Sequence, residues 1–257
     1  MKPGADTKVQ RLLLETKYIR ILGRMLLPAY TTMLDDGTRI KLRLDSPDYD
    51  VIKEIFERKP YEKYFKPSPD MVVVDAGANI GCFTVRAARL VGEDGRVLAF
   101  EPSMSNFKLL QENVSLNHLS NVTLFHCGLG ESEGEATLNL YDDPGGNTFL
   151  PARDGDGERM SAIGKEHAKL RTIDEVVSGL GVERVDLLKI DTEGFELPIL
   201  KGAQKVIRLY HPKIVGEAHS EFSEGGDAIL EFLKSLGYEG KVEAYHENLQ
   251  LFFAWAE

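Results

Sequence analysis

The segment VVVDAGANIGCF, residues 72–83, narrows the possible folds of this 257-residue chain more than any other. Its short apolar run ends in an acid, which predicts a buried β-strand over residues 71–75. Gly77 and Gly81 then predict a tight turn that opens a helix over residues 81–91. The first N–H groups of such a helix lack partners within the helix and favour a ligand nearby. The segment therefore predicts a strand–turn–helix unit with a ligand at the end of its strand.

The alternation of strand and helix continues to the end of the chain. Predicted strands cover residues 71–75, 96–101, 122–127, 136–141, 185–191, 213–217, 241–245 and 249–254. Predicted helices cover residues 81–91, 103–116, 172–179, 198–210 and 227–237. Such alternation is typical of right-handed crossovers in a mainly parallel sheet, and the last two strands predict an antiparallel pair. The predicted fold class is therefore α/β with a doubly wound sheet.

The chain divides near residue 70, where the sequence PSPD marks a change in composition. Residues 70–257 are predicted to form the main domain. Residues 1–69 are predicted to form a small extension, with a helix over 9–27, a hairpin over 29–44 and a short helix over 48–59. The first helix is basic. We expect it to make a packing or oligomer contact, with a substrate lid or a membrane-surface helix as alternatives.

Composition and charge exclude several classes of protein. Charged residues make up 28 % and hydrophobic residues 42 % of the chain, as in globular proteins. The net charge of −10 is a poor match to nucleic acid, so no nucleic-acid partner is expected. No apolar run approaches the roughly 18 residues of a membrane span, and the start lacks the apolar region of a signal peptide. Two cysteines cannot build a disulfide scaffold or a four-ligand zinc site, and a cytoplasmic location is expected.

Two acids restrict the ligand expected at the glycine turn. Asp75 stands before the first glycine, where a carboxylate would repel a pyrophosphate. Glu101 ends the next strand, 24 residues after Gly77, which suits an acid bound to ribose hydroxyls. The three-glycine dinucleotide fingerprint is incomplete. A nucleoside without phosphate that carries an ammonium group, such as S-adenosylmethionine, fits these features. A dinucleotide site and a plain strand–helix turn are the alternatives.

Four motifs together resemble the FkbM-like family of S-adenosylmethionine-dependent methyltransferases. They are DAGANIG, AFEP, LRTIDEVV and LLKIDTEGFELPILKGA, and the likeness runs from about residue 49 to residue 237. The resemblance implies a Rossmann-like class I methyltransferase fold with a mainly parallel seven-stranded sheet and a C-terminal antiparallel hairpin. It also implies methylation of hydroxyl groups on small molecules or glycans.

The resemblance further implies which residues bind S-adenosylmethionine as cofactor. Residues of the glycine turn would line its methionine end: Asp75, Gly77, Asn79 and Gly81. Glu101 would hold the ribose. Residues after the third strand of the main domain would lie by the adenine: Cys127, Gly128 and Leu129.

Candidates for catalysis follow two later strands. Asp191 and Glu193 end the strand over 185–191, and Glu217 and His219 end the next one. Open α/β sheets bind ligands at such carboxyl ends. We predict Asp191 as the general base, alone or with Glu193, and Glu217 and His219 as further catalytic candidates. Helix caps at Asp191 and Glu193, or a divalent metal held by all four, are alternatives, and no metal ligand is assigned because no tight ligand spacing supports one.

For several other residues the sequence leaves two interpretations open. Lys189 is predicted either to pair with an acid such as Glu217 or to face solvent. Three tyrosines before the glycine turn are predicted to line an acceptor pocket or to join the core: Tyr49, Tyr61 and Tyr64. The loop over 142–159 is either a lid or an exposed loop.

The predicted function is O-methylation of a small-molecule or glycan acceptor. An RNA or protein methyltransferase is the alternative among enzymes, and a non-catalytic S-adenosylmethionine-binding module is the alternative outside them. We expect no membrane span and a possible homo-oligomer through the N-terminal segment.

Overall fold

A computed structural model gives the fold of residues 29–44, 46–150, 162–219, 225–246 and 249–256. The basic helix predicted over 9–27 lies outside these described residues, and so does the second half of the loop over 142–159.

The chain alternates between strands and helices over most of the described residues. The strands are β1 (Ala29–Met33), β2 (Arg39–Arg43), β3 (Val72–Ala76), β4 (Arg96–Phe100), β5 (Val122–Phe125), β6 (Gly128–Leu129), β7 (Gly134–Leu140), β8 (Gly164–Arg171), β9 (Leu187–Ile190), β10 (Lys213–His219), β11 (Tyr238–His246) and β12 (Leu249–Ala256). The α-helices are α1 (Asp48–Ile52), α2 (Cys82–Val91), α3 (Met104–Leu116), α4 (Ile173–Gly179), α5 (Glu196–Lys201), α6 (Gln204–Tyr210) and α7 (Gly225–Lys234). A π-helical segment, Lys53–Arg58, continues α1, and 3₁₀ turns cover Pro60–Lys63 and Pro144–Gly146.

Seven strands form the central sheet in the order β11-β12-β10-β9-β3-β4-β5. The pairs β3–β4, β4–β5, β3–β9 and β9–β10 are parallel. Strand β12 runs antiparallel to both β10 and β11. The predicted mainly parallel sheet with a C-terminal hairpin is confirmed. Strands β4 and β5 follow β3 on one side of the sheet, whereas β9 lies on its other side. A crevice therefore opens where β3, β4 and β9 end.

Both faces of the sheet are apolar, which explains why its inner strands are continuous hydrophobic runs. Successive side chains of a strand point to opposite faces. In β3, for example, Val73 packs in the cluster that contains α2 and α3, whereas Val74 packs in the cluster that contains α4 to α7. Leu187 and Leu188 divide in the same way in β9.

Two parts of the fold differ from the predicted elements. Strand β8 was not predicted, and it pairs with β6 and β7 in a separate three-stranded sheet. Half of its residues, GKEHAKLR, are charged and only Ala168 among them is buried, so the strand carries no apolar signal. The helix predicted over 198–210 is two helices, α5 and α6. The chain bends at Gly202, where an added Cβ would lie 2.0 Å from the carbonyl oxygen of Gly130.

The extension packs against the face of the sheet that carries α2 and α3. The side-chain amide of Asn113 in α3 forms two hydrogen bonds with the backbone of Lys41 in β2. It accepts from the N–H at 2.6 Å and donates to the carbonyl at 2.9 Å. Ile40, Leu42 and Tyr61 are buried in the same cluster as α2. These contacts bring the 3₁₀ turn that contains Tyr61 to the carboxyl end of the sheet.

Within the described ranges, no helix has the length and apolar character needed to cross a membrane.

Candidate active site

A cavity of about 300 Å³ opens at the carboxyl ends of β3, β4, β9 and β10. The extension contributes Tyr61 and Glu54 to its wall, and the main domain contributes the residues that follow the strands. Most of the predicted site residues line it: Gly77, Asn79, Glu101, Cys127, Gly128, Leu129, Asp191, Glu193 and Glu217. The structure therefore brings together residues that are up to 140 positions apart in the sequence, as from Gly77 to Glu217.

The close packing of the turn requires glycine at Gly77 and Gly81, in addition to the predicted approach of a ligand. Gly77 has φ +80°, and an added Cβ would lie 1.9 Å from the carbonyl oxygen of Asp191. Gly81 has φ +92°, and its Cβ would lie 2.6 Å from Cδ1 of Leu110 in α3. Both glycines adopt the left-handed conformation that disfavours a side chain. The turn can therefore pack directly on the end of β9 and on α3.

Asp75 and Gly81 are buried and are not among the residues that line the cavity, and their place at the methionine end stays a prediction. Asp75 is fully buried; its Oδ2 accepts a hydrogen bond of 2.6 Å from the hydroxyl of Thr84. Its Oδ1 lies 3.2 Å from Nζ of Lys189. Strand β3 pairs in register with β9, which places Asp75 beside Lys189.

Lys189 is buried and pairs with an acid, as one of the two alternatives expected, and that acid is Asp75. Its Nζ donates 2.8 Å to the carbonyl of Gly77 and lies 3.6 Å from Oδ2 of Asp191. Burial alone would lower the pKa of Lys189, but the two carboxylates outweigh this and raise it. Lys189 thus stays charged and joins the glycine turn to the end of β9.

Glu101 is positioned by backbone donors at the end of β4. Its Oε2 accepts from the N–H of Asn79 at 2.8 Å, and its Oε1 accepts from the N–H of Ser103 at 2.9 Å. Burial raises the pKa of Glu101 to about 7, although these hydrogen bonds oppose the rise. The side-chain oxygen of Asn79 is buried and has no hydrogen-bond partner among the described residues. An unpaired buried acceptor in a cavity wall fits a ligand that donates hydrogen bonds there.

The wall beyond Glu101 is neutral. Cys127, Gly128 and Leu129 are buried and line the cavity together with Phe100. Burial raises the pKa of the Cys127 thiol to about 11, so the thiol stays uncharged. This surface suits a flat, uncharged ring, as expected for adenine.

Tyr61 joins the ends of β9 and β10. Its hydroxyl oxygen lies 3.0 Å from Oδ2 of Asp191 and 2.6 Å from Oε1 of Glu217, and its side chain is buried. The sequence predicts Tyr61 either in an acceptor pocket or in the core. Its side chain packs in the core cluster and also lines the cavity. Its contacts with the two acids were not predicted, because no local pattern reports partners 130 and 156 residues away.

The shared hydroxyl limits the hydrogen bonds that Asp191 and Glu217 can receive. A phenol carries one hydrogen and can donate it to only one carboxylate. Burial, followed by the charge of Asp191, raises the pKa of Glu217 well above its ordinary value. Burial and the same two acids also raise the pKa of Tyr61. The Tyr61 hydroxyl can donate to either acid, because both carboxylate oxygens lie within hydrogen-bond distance.

His219 lies just outside the cavity lining and is surrounded by acids. Its Nδ1 lies 3.1 Å from Oε1 of Glu196, and its Nε2 lies 3.4 Å from Oε2 of Glu193 and 3.9 Å from Oε2 of Glu217. Burial alone would lower the pKa of His219, but Glu193 and Glu196 outweigh it and raise the pKa well above its ordinary value. Burial raises the pKa of Glu193.

Glu196, which was not among the predicted site residues, binds the turn before α5. Its Oε1 accepts from the N–H groups of Gly194 at 2.9 Å and Thr192 at 3.3 Å. The residue at the start of α5, Phe195, makes no side-chain cap. Neither Asp191 nor Glu193 is the N-cap residue of α5, and both line the cavity.

The comparisons with known proteins agree with this geometry. The family model described as the methyltransferase FkbM domain matches residues 75–239. The chain belongs to the FkbM methyltransferase family. Methyltransferase sdnD of Sordaria araneosa is 33 % identical over 222 residues, covering 77 % of this chain and 80 % of the relative. Methyltransferase 1 of Beauveria bassiana is 36 % identical over 165 residues, covering 58 % of this chain and 65 % of the relative.

The fold is shared with a solved FkbM-family structure. Methyltransferase FkbM from Methylobacillus flagellatus has a TM-score of 0.55 and 19 % identity; the match covers 96 % of this chain and 57 % of that chain. This chain thus spans slightly under two thirds of the Beauveria relative and little more than half of the Methylobacillus protein. The class I methyltransferase fold and the expected family are confirmed.

Proposed function

We propose that this FkbM-family methyltransferase uses S-adenosylmethionine to methylate a hydroxyl group of a small molecule or glycan. The observation that carries the proposal is the two-ended cavity. A neutral wall with Glu101 lies at one end, and the carboxyl groups bridged by Tyr61 lie at the other. The first end suits a nucleoside and the second suits removal of a proton.

The residues at the nucleoside end fit the cofactor. Glu101 would accept hydrogen bonds from the ribose hydroxyls, and the unpaired oxygen of Asn79 would accept one from the methionine ammonium. The neutral wall at Cys127, Gly128 and Leu129 would contact the adenine. When bound, S-adenosylmethionine supplies an electrophilic methyl group on a sulfonium, and S-adenosylhomocysteine remains after transfer.

The residues at the other end provide the base. Asp191 lines the cavity and would take the proton of the acceptor hydroxyl. The acceptor oxygen then forms its bond to the methyl carbon as the carbon–sulfur bond breaks, so the positive charge of the sulfonium is neutralised. Tyr61 and Lys189 hold Asp191 from two sides and keep it at the end of β9.

Two further relatives are named for a hexuronic acid and for an O-demethyl compound, and they support a sugar or small-molecule acceptor. One is hexuronic acid methyltransferase AglP of Haloferax volcanii, 29 % identical over 151 residues. The other is 31-O-demethyl-FK506 methyltransferase FkbM of Streptomyces tacrolimicus, 25 % identical over 201 residues. The net charge of −10 also favours a small acceptor over RNA.

Transfer of a tritiated methyl group to glycan, metabolite, lipid, protein and RNA extracts tests the acceptor class. We expect label in the glycan or metabolite fraction with the wild type and a drop of about 100-fold with Asp191→Asn. The matched control is Asp50→Asn, because Asp50 is exposed and does not line the cavity; it should keep full transfer. Label confined to RNA or protein would contradict the acceptor class. Near-wild-type transfer by Asp191→Asn, with equal cofactor affinity, would remove Asp191 as the base.

Three other expectations stay predictions. They are the domain boundary at residue 70, an oligomer contact through the N-terminal segment, and a cytoplasmic location.

A further inference from the structure

The cavity wall beside Glu101 contains a buried amide, Asn106, that the proposed function does not use. Asn106 lies in the first turns of α3, and its side chain lines the cavity. Its Nδ2 donates to the carbonyl of Pro144 at 3.0 Å and lies 3.4 Å from Oε1 of Glu101. Because Nδ2 carries two hydrogens, it can serve both acceptors. Asn106 therefore connects the carboxylate at the end of β4 with the 3₁₀ turn Pro144–Gly146.

The extension fixes the orientation of this amide. Nη1 of Arg43, in β2, donates to Oδ1 of Asn106 at 2.8 Å. A guanidinium can only donate, so it selects the oxygen of the amide and turns Nδ2 towards the other two partners. The reversed amide would place its nitrogen against Arg43 and its oxygen against a carbonyl and a carboxylate. Only one orientation of Asn106 therefore satisfies all three contacts.

Arg43 is itself held in place by Asp48. The buried carboxylate of Asp48 accepts from Nε of Arg43 at 2.9 Å, from its Nη2 at 2.7 Å and from its backbone N–H at 2.8 Å. Such a two-point pair between a guanidinium and a carboxylate has a geometry that a lysine cannot reproduce. The pair leaves Nη1 directed at Asn106. Hydrogen bonds thus connect the extension to the wall of the nucleoside end.

The turn on the other side of Asn106 belongs to the same end of the cavity. Pro144, Gly145 and Gly146 all line the cavity. A Cβ added at Gly145 would lie 3.8 Å from Nδ2 of Asn79, and the backbone N–H of Asn79 binds Glu101. The amide of Asn106 therefore contacts two parts of the wall, the Glu101 carboxylate and the turn.

We infer that Asn106 is a positioning residue for the nucleoside and that Arg43 of the extension orients it. This role rests on the proposed function, in which Glu101 accepts hydrogen bonds from the ribose hydroxyls. The amide would keep the carboxylate directed at the ribose, and its bond to Pro144 would keep the turn against the ligand. Arg43 lies outside the residues that match the family model, 75–239. The extension would therefore contribute to cofactor affinity as well as to the carboxylate end of the cavity.

Asn106→Asp separates this role from a merely structural one. The aspartate keeps the size of the side chain and gains an ion pair with Arg43, so the link between α3 and β2 remains. It replaces Nδ2 with a charged oxygen, which the carboxylate of Glu101 and the carbonyl of Pro144 repel. Calorimetry on the full chain should show a Kd for S-adenosylhomocysteine that is at least about tenfold higher than in the wild type.

Asn117→Asp is the matched control for this variant. Asn117 follows α3 and also binds β2, through the backbone N–H and carbonyl of Arg39, but it does not line the cavity. The substitution makes the same change of charge in a link between the same two elements. The Kd for S-adenosylhomocysteine should stay within about twofold of the wild type.

Arg43→Lys tests whether the extension acts through Asn106. The lysine keeps the charge beside Asp48 but loses the fork that reaches the amide, so the Kd should rise about threefold to tenfold. The control is Arg39→Lys, because Arg39 is exposed in the same strand, and its Kd should not change. In the Asn106→Ala background, Arg43→Lys should add little, because the residue through which it acts is already absent.

The same calorimetry gives the results that would overturn the inference. An affinity of Asn106→Asp equal to that of Asn117→Asp would do so, and so would losses from Arg43→Lys and Asn106→Ala that simply add. Urea unfolding shows which variants fold, and the two aspartate variants decide the question if Asn106→Ala does not. No binding by the folded wild type would reject the proposed function together with this inference. Wild-type binding with unchanged variants would reject this inference alone.

Discussion

The hydroxyl oxygen of Tyr61 lies 2.6 Å from Oε1 of Glu217, across 156 positions of sequence. Tyr61 belongs to the extension, and Glu217 belongs to β10 of the central sheet. The residues that match the FkbM family model, 75–239, include Glu217 but not Tyr61. The extension therefore contributes to the carboxylate end of the cavity, and we propose Tyr61 as a positioning residue there.

We expect Tyr61→Phe to lower turnover about 100-fold while cofactor affinity stays the same. The ring remains in its pocket, but Asp191 loses a donor and can shift by the fraction of an ångström that proton transfer tolerates poorly. Steady-state kinetics should show a fall in kcat, and calorimetry should show an unchanged Kd for S-adenosylhomocysteine.

Tyr64→Phe is the matched control for this variant. Tyr64 is more exposed, and its hydroxyl bonds Glu243 rather than the cavity acids. Its kcat should equal that of the wild type. An equal fall in kcat for both variants, or an unchanged kcat for Tyr61→Phe, would show that Tyr61 does not position Asp191.

Gly77→Ala should destabilise the fold far more than Gly37→Ala. Both glycines have nearly the same φ, +80° and +81°, so backbone strain is matched and costs about 1 kcal/mol. A Cβ at Gly77 would meet the carbonyl oxygen of Asp191 at 1.9 Å, whereas a Cβ at Gly37 meets nothing within 4 Å among the described residues. Urea unfolding should give a loss of at least about 3 kcal/mol for Gly77→Ala and about 1 kcal/mol for Gly37→Ala. Equal losses would show that the turn does not pack on β9 in this way.

Glu101 should make the ligand-free protein less stable as the pH rises towards neutrality. Its pKa is raised from 4.5 to about 7, so the folded state holds a proton that the unfolded state has released. The contribution is complete below pH 4.5 and is lost as the pH rises through about 7. Relative to Glu101→Gln, the wild type should lose about 3 kcal/mol of unfolding free energy between pH 4.5 and 8. A difference that does not vary over this interval would show that the pKa of Glu101 is ordinary.

The two cysteines should be inert in the folded protein. Cys82 and Cys127 are buried, and burial raises the pKa of both thiols. A thiol must ionise and be reached before it reacts. An Ellman reagent at about pH 8 should label neither thiol within minutes in buffer and both in concentrated urea. Rapid labelling of the native protein would contradict the burial of the cavity wall and of the start of α2.

Much of the fold was predictable because its signals are local. Apolar runs that end in an acid or a glycine mark β3, β4 and β9, and their two buried faces explain why the runs are continuous. Strand β8 lacked such a signal because half of its residues are charged and only Ala168 among them is buried. The division between α5 and α6 was missed because it depends on the backbone of Gly130, a distant partner of Gly202.

A site residue was predictable only where its position along the chain places it directly after a strand. Residues directly after strands, such as Glu101 and Asp191, were expected at the carboxyl edge and lie there. The ion pair of Asp75 with Lys189 was not predicted, because only the pairing of β3 with β9 brings the two residues together. Tyr61 was not distinguished from Tyr49 or Tyr64, because only the packed extension shows which tyrosine meets the acids.

The binding of S-adenosylhomocysteine to the full chain, measured by calorimetry with Glu101→Gln in parallel, tests the central claim most directly. We predict one site per chain with a Kd in the micromolar range, about −8 kcal/mol, and at least tenfold weaker binding in the variant. An absence of binding to the folded wild type at about 1 mM would contradict the claim that this cavity holds the methyl donor.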